Sequence, residues 1–453
     1  MFPTGKLVKN NYTACSISAL LCAIPFIFPR LWPLEFFFLL PIFIYALKNK
    51  LGWKQGFCWG IVFFGIHNFG LSILIVQHGF GFLRFFIPIL YILYCSLFSG
   101  FWFFSAAQAS KYLRRYSSNI YISSCLWIIA TFFYFLAIDR LLFIIFGSWD
   151  GNTLALPILP IISEKIGVVL VQMLGANIVV LLLISMQMSI AIFWRNYVQA
   201  ITIFGCLMLY LTNAFLPHKS CEKPVWLNCI AALYPPPAKQ LSTYEKFQTL
   251  EKNMLKLCAE KDMLTCIICP ESTLPLALNE YPEKLKEWSE TPLKDLSIIV
   301  GAHRKTGSVF FNCSYLIQDC RITQFYDKRK PLFFTEKLPL YCENLAMIRS
   351  LFLRNSIIFS SGASLPSSFV INHECHLMPI ICSELFLSST DEIKNSDIPL
   401  VALVNDSWFA VSYVQYLLEL CAQLKAISWK KDIVYVSHTR ALWISKSGQR
   451  CIL

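Results

Sequence analysis

Charge is what this chain has least of. Only 15% of its 453 residues are charged, against roughly 25% in soluble domains. That shortage excludes a disordered protein, and it argues against an enzyme that is soluble throughout its length. Glycine (18) is far below the one residue in three of a collagen-like fibre. No internal repeat and no low-complexity tract is present. There is no Walker loop, no Gly-x-Ser-x-Gly and no Gly-x-Gly-x-x-Gly in a strand-to-helix setting, so no cofactor is implied. What fills the chain instead is apolar. Hydrophobic residues make up 56% and aromatics 15%, and the mean hydropathy is +0.55. The length allows two to three domains.

The apolar residues are concentrated in the first half. Runs at 13–29, 31–47, 55–77, 86–108, 119–138, 166–193 and 197–216 each approach the ~17–25 residues needed to cross a bilayer. Seven spans are therefore expected, the first two as a tight helical hairpin around Pro29-Arg30. The spans hold few ionisable residues and no paired repeat, which disfavours a transporter. Lysines and arginines then orient the bundle. Lys6, Lys9, Lys48, Lys50, Lys54, Lys111, Arg114, Arg115 and Arg195 cluster in one set of loops; the opposite loops hold only Arg30, Arg84, Arg140 and Lys165. The positive-inside rule places the richer set in the cytoplasm and everything after Pro217 outside it. The formal net charge of +12 thus reads as basic loops beside an anionic membrane and not as nucleic-acid binding. Phe143–Trp149 reads as interfacial or re-entrant.

Residues 218–453 read as a second domain after a transmembrane domain at 1–217. Strands are expected at Trp226–Leu233, Thr265–Cys269, Ser297–Gly301, Phe311–Gln318, Ser367–Ile371, His376–Cys382, Leu400–Asn405 and Ile433–His438. Thr243–Lys261 has helical spacing, with Phe247, Leu250, Met254, Leu257 and Cys258 on one face. Strands mixed with helices argue for a layered α+β or α/β domain. Of the 18 cysteines, six precede Pro217 and twelve follow it. An oxidising compartment would permit disulfides among the twelve, in pairings that sequence does not give. His373-Glu374-Cys375-His376 has metal-capable residues, but a strand sends neighbours to opposite faces, so no metal site is expected.

Three stretches carry chemistry. Ile267-Ile268-Cys269-Pro270-Glu271-Ser272-Thr273-Leu274-Pro275 places a carboxylate where an apolar strand ends in a turn, and a partly desolvated carboxylate there can accept a proton. Tyr326-Asp327-Lys328-Arg329-Lys330 runs on to Glu336, and a lysine near a nucleophile steadies an oxyanion. Met378-Pro379-Ile380-Ile381-Cys382-Ser383-Glu384 puts a thiol at the end of an apolar strand.

In this order the three stretches resemble the Glu–Lys–Cys constellation of the nitrilase, or carbon–nitrogen hydrolase, superfamily. Phe311-Asn312-Cys313-Ser314 resembles the strand before its lysine, and Asn405-Asp406-Ser407-Trp408-Phe409 the segment after its cysteine. A nitrilase-like domain behind a multi-span half looks like the apolipoprotein N-acyltransferase family. The resemblance implies an αββα sandwich, with Glu271, Lys328 and Cys382 catalytic and Glu336 and Glu384 supporting. It also implies an acyl chain passing from phospholipid through a Cys382 thioester to the N-terminal amine of a lipidated cysteine in an apolipoprotein. Its setting would be a bacterial inner membrane, with the second domain on the periplasmic side and the protein a monomer. The chain departs from the family pattern at Phe333-Phe334-Thr335-Glu336, at Ser383, at Tyr416 beside Gln415, and at Ser428, Lys431 and His438-Thr439-Arg440. Neither further strands nor another span is expected after Gly448, a shortened second sheet. Alternatives are a diverged paralogue with another acceptor, for example in conjugal transfer, a membrane-anchored amidase, or a non-catalytic scaffold.

Overall fold

A computed structural model describes residues 11–48, 51–78, 82–114, 116, 119–144, 156–192, 205, 223–233, 242–261, 263–332, 336–337, 357–363, 367–373, 375–387, 393, 396–407, 409 and 412–453. The chain forms two compact units. One is Met1–His218 with Phe409–Leu420, the other Lys219–Trp408 with Cys421–Leu453.

Helices make up the first unit. Where seven spans were expected, the described residues hold three helices long and apolar enough to cross a membrane: Pro29–Leu47, Phe86–Leu113 and Ile120–Ala137. Asn11–Ile27 is apolar but shorter. The run at 166–193 is not straight. Lys165–Leu174 and Ala176–Ile192 meet at 110°, a fourth candidate if the bent pair is one span. Gly175 makes that turn with φ +82, a conformation that only glycine adopts freely. The run at 55–77 is also divided, into Trp53–His67 and Phe69–His78. At this break the Tyr413 hydroxyl accepts from the Gly70 N–H at 2.6 Å and donates to the His67 carbonyl at 3.3 Å. The run at 197–216 lies outside the described residues except for residue 205, and so do residues 145–149 of the stretch read as interfacial.

Small residues set the closest helix contact. A Cβ at Gly56 would stand 2.3 Å from the Ser99 carbonyl oxygen, and one at Gly60 2.7 Å from the Ser96 Cα. Helices Trp53–His67 and Phe86–Leu113 therefore pack backbone to backbone.

The second unit is built on two six-stranded sheets. The first contains β1 (Ile230–Ala232), β2 (Cys266–Ile268), β3 (Leu274–Ala277), β4 (Ser297–Thr306), β5 (Val309–Gln318) and β6 (Arg321–Asp327). Their order is β1-β2-β4-β5-β6, with β3 also on β4. The second contains β7 (Phe369–Val370), β8 (His376–Ile381), β9 (Leu400–Leu403), β10 (Ile433–Val436), β11 (Ala441–Ile444) and β12 (Arg450–Ile452), in the order β12-β11-β10-β9-β8-β7. Both are mixed: β1, β2 and β4 run parallel, as do β8, β9 and β10, and hairpins add the antiparallel strands.

Ile268, Ile299 and Leu316 of the first sheet meet Leu377, Ile381, Val401, Leu403, Val434 and Val436 of the second in one apolar core. On the first sheet's outer face, helix Thr243–Glu260 seats Phe247, Leu250 and Met254 against Ile267, Ile298, Val300 and Tyr315. Its start is a capping box: the Ser242 hydroxyl accepts from Glu245 N–H, and the Glu245 carboxylate accepts from Ser242 N–H. Beyond the second sheet, helix residues Cys421, Ala422, Leu424 and Ala426 are buried, and Gln423 Nε2 donates to the Gly448 carbonyl at 2.7 Å. The layers are thus helix, sheet, sheet, helix. The second sheet is longer than expected, because β12 follows Gly448 and pairs Arg450 with Ile444. Cys451 in this strand is disulfide-bonded.

Candidate active site

Three strand ends bring the motif residues to one end of the inter-sheet core. After β2, the Cys269 N–H bonds to the Ile299 carbonyl, and the chain turns through Pro270 to Glu271. Thr273 Oγ1 donates to the Pro270 carbonyl at 2.8 Å, and Ser272 adopts φ +56. This turn lies directly on β4. A Cβ at Gly301 would be 2.5 Å from both the Glu271 Cα and the Pro270 oxygen, so glycine alone fits there. β6 runs in the same direction as β4 and delivers Lys328 just past its end; the Lys328 N–H bonds to the Asn312 carbonyl on β5. β8 delivers Cys382, whose N–H continues the ladder to the Leu403 carbonyl while its φ turns to +42. Strand ends of this kind are where open α/β sheets expose reactive groups.

The charged groups form a closed, buried ring. Lys328 is 1% exposed and Glu271 4%. Lys328 Nζ lies 3.0 Å from Glu271 Oε1 and 2.8 Å from Glu336 Oε2. Opposite the ammonium, Asn312 Nδ2 donates to Glu271 Oε1 at 2.7 Å and also to Glu336 Oε1. The remaining oxygens are answered by backbone, with Asn405 N–H on Glu271 Oε2 at 3.0 Å and Leu332 N–H on Glu336 Oε2 at 2.6 Å. His438 Nε2 lies 2.8 Å from the backbone carbonyl of Glu271, and so carries the proton it donates there.

These contacts set protonation. Burial by itself would push Lys328 down, but the Glu271 and Glu336 carboxylates outweigh it and hold the amine well above its ordinary value. Cys382 moves the other way from a ready thiolate. Burial, then the charge of Glu271, raise its pKa well above that of a free thiol; Lys328 lowers it, and Glu336 raises it again. Cys382 therefore rests as a thiol within the electrostatic reach of two carboxylates and a fixed ammonium.

Glu384 does not join the ring. It is 2% exposed and accepts from the Tyr326 hydroxyl (2.7 Å), Arg329 N–H (2.7 Å) and Ile381 N–H (2.9 Å). It braces the strand end before Cys382 against the residues on both sides of Lys328. Burial raises its pKa despite these donors. Ser383 donates from Oγ to the Lys330 carbonyl at 2.8 Å, adding a second tie between the same two segments.

Of the residues expected from sequence, Glu271, Lys328 and Glu336 are thus in direct contact, Cys382 is within their electrostatic reach, and Glu384 holds their supports. Asn312, His438 and Gly301 were not assigned roles from sequence. Asn312 stood in a quoted motif, and His438 at a departure from the family pattern. Among the described residues, no group of three His, Cys, Asp or Glu side chains could hold a metal ion. Glu374, Phe333–Thr335 and Trp408 lie outside the described residues.

A lysine, two glutamates and a cysteine at one end of a two-sheet sandwich is the arrangement that the motifs led us to expect of a carbon–nitrogen hydrolase. No protein-family model matches the chain. More particularly, the chain is similar to apolipoprotein N-acyltransferases. That of Rhizobium etli is 26% identical over 241 residues, covering 49% of this chain and 44% of the relative. That of Helicobacter pylori is 26% identical over 253 residues, covering 53% and 56%. The matches span about half the length of these curated relatives. Among solved structures, a carbon–nitrogen hydrolase from Helicobacter pylori aligns with TM-score 0.37 and 9% identity, covering 49% of this chain and 82% of that one. A CN-hydrolase superfamily protein from Xanthomonas campestris aligns with TM-score 0.33 and 14% identity, over 49% and 82%.

Proposed function

We propose that the chain is a membrane acyltransferase that moves a fatty acyl group from a phospholipid, through a thioester on Cys382, to the N-terminal amine of a lipidated cysteine in apolipoproteins. The observation that carries this reading is the buried Glu271–Lys328–Glu336 ring beside a protonated Cys382 thiol. A thiol that rests protonated needs a base, and Glu271 is the carboxylate that acts on it most strongly.

In the first half-reaction Cys382 Sγ attacks the ester carbonyl as Glu271 takes the thiol proton. The charge on the carbonyl oxygen is steadied by Lys328. The C–O bond breaks, Glu271 returns the proton to the leaving glycerol oxygen, and a lysophospholipid departs. In the second the amine attacks the thioester carbonyl, Glu271 takes the amine proton, and the C–S bond breaks as Glu271 passes that proton to the departing sulfur, leaving an amide and the thiol. This is covalent catalysis in two displacements. Helices that can cross a membrane fit substrates that are lipids. The setting that suits this chemistry is a bacterial inner membrane, with the site on its periplasmic side and the protein working as a monomer.

The test is intact-protein mass spectrometry after incubation with phospholipid, beside Cys382→Ala. The expected result is a hydroxylamine-labile gain of one acyl chain that the variant lacks, discharged by a diacylated cysteinyl peptide as the amide. Discharge by water to free fatty acid would instead make the protein a hydrolase. No adduct on folded, reduced protein would overturn the catalytic reading.

A further inference from the structure

We infer that Asn312 is a positioning residue that holds Glu271 and Glu336 as two separate carboxylates around Lys328, and so keeps Glu271 free to take the Cys382 proton. The role of Glu271 in this inference rests on the function proposed above.

Asn312 bonds both carboxylates of the ring and the backbone of its lysine. Its carbonyl receives the Lys328 N–H at 2.8 Å, and its Nδ2 donates to Glu271 and to Glu336. A side-chain amide has two N–H donors, and here each is given to a carboxylate. The opposite orientation of the amide would press its oxygen against two anions, so the chemistry fixes which atom faces them. A consequence is visible on the other side. Asn312 is 3% exposed, and its Oδ1 has no hydrogen-bond partner. A buried polar atom left unanswered needs a reason; here both donors can meet the carboxylates only if the oxygen faces away. Two carboxylates sharing one ammonium would otherwise be drawn to trap a proton between them, as paired acids do. A trapped proton would leave Glu271 unable to accept another.

The other titratable groups around Asn312 do not take over this task. His303, its register partner on β4, is buried, and its pKa is pushed down to about 4 by burial, with Glu271 and Lys246 the charges that bear on it; it stays neutral. Arg304 and Asp327 are paired with each other, Arg304 Nε lying 2.8 Å from Asp327 Oδ1. The His438 ring bonds the Glu271 backbone carbonyl, and the His438 backbone N–H goes to Asp406. Cys382, just past β8, is within the electrostatic reach of Glu271, Lys328 and Glu336.

The test needs no lipid. The rate at which iodoacetamide alkylates Cys382 is followed against pH by peptide mapping, alongside the melting temperature. Asn312→Asp keeps the shape, removes both donors and adds a third acid. Its alkylation profile is expected to move to higher pH by about one unit, a roughly tenfold slower reaction at fixed pH. Asn312→Ala removes the donors without adding charge; a proton trapped between the carboxylates cancels one of the charges that raise the thiol, so its profile is expected to move the other way, to lower pH, by about half a unit. The double variant Asn312→Asp, Glu336→Gln restores one amide and two acids to the ring and is expected to return the profile toward the parent's. A merely structural role would lower the melting temperature and leave the profile in place. Profiles within about 0.3 unit of the parent's in every variant that folds, or no return in the double variant, would overturn the inference. A shifted profile in a protein that forms no thioester from phospholipid would leave this inference standing and remove the acyltransferase reading alone.

Discussion

Buried polar groups are treated differently in the two units. In the helical unit several are neutral groups that meet in small local sets. Trp59 Nε1 donates to Ser18 Oγ at 3.0 Å, Ser99 Oγ and the Tyr134 hydroxyl lie 2.7 Å apart, and the Gln187 amide spans the Leu39 N–H and the Glu35 carbonyl. Glu35, a fully buried acid there, has no hydrogen-bond partner on either carboxylate oxygen among the described residues. In the sandwich unit Glu271, Glu336 and Glu384 each have both oxygens bonded, and Lys328 lies between two of them. A neutral pair away from water needs only its one hydrogen bond, whereas a buried charge costs several kcal/mol unless every lone pair and proton is answered. At the site end of the sandwich the charges of Glu271, Lys328, Glu336 and Glu384 are all answered. That is the arrangement of a place where charge moves, and the helical unit has the arrangement of packing.

The comparison is broken most severely at Lys328. Lys328→Met leaves Glu271 and Glu336 facing each other across a gap with no cation. A loss of about 3–5 kcal/mol is expected, read as a large fall in melting temperature, together with complete loss of thioester. Glu271→Gln is milder for the fold but as severe for chemistry, with acylation about a hundredfold to ten-thousandfold slower. The two variants part company in pH dependence. Burial raises the Cys382 thiol first, and Glu271 raises it further, so Glu271→Gln moves the alkylation profile to lower pH. Lys328 lowers it, so Lys328→Met moves the profile to higher pH. Shifts in the same direction would mean that the cysteine does not feel the ring.

What could be read from the sequence follows from the same contrast. Strands β2, β4, β8, β9 and β10 were legible because parallel strands covered on both faces are nearly continuous apolar runs. β6 was not, because Arg321–Asp327 alternates exposed and half-buried residues at the edge of its sheet. Breaks inside the apolar runs of the helical unit were not legible, because hydropathy measures length and not continuity. The break after His67 is held by Tyr413, far along the chain, and the bend at Gly175 by one backbone angle. At the site, Glu271, Lys328 and Cys382 stood out as polar residues where apolar strands end. Asn312 sits inside a strand, between Phe311 and Cys313, and its importance depends on three partners that sequence does not place together.

Gly301 sharpens the comparison by separating packing from charge within the sandwich. Gly301→Ala puts a methyl 2.5 Å from the Glu271 Cα and the Pro270 oxygen, and neither is the end of a flexible side chain. The turn must move. About 1–3 kcal/mol of stability is expected to be lost, as for overpacking elsewhere. The loss in thioester formation should exceed what partial unfolding explains, because the displaced atom is the Cα of the proposed base. Activity measured well below the variant's melting temperature checks this. A variant less stable but equally active per folded molecule would show that the ring tolerates movement of its turn.

The smallest effect is expected at Glu35. A carboxylate there would have no donor, so Glu35→Gln removes a possible charge without removing a bond to it. The backbone carbonyl of Glu35, which receives the Gln187 amide at 3.1 Å, is untouched by the change. Melting in detergent or bilayer is therefore expected to be unchanged or slightly raised, by no more than about 1 kcal/mol, with thioester formation at the parent level. The same substitution chemistry at Glu271 is expected to slow acylation by about a hundredfold or more. Two Glu→Gln changes, one in each unit, thus give opposite results if the units differ as described. A Glu35→Gln protein that melts as early as Lys328→Met would mean that a buried charge is answered in the helical unit as well, and the distinction between a unit for packing and a unit for charge would fall.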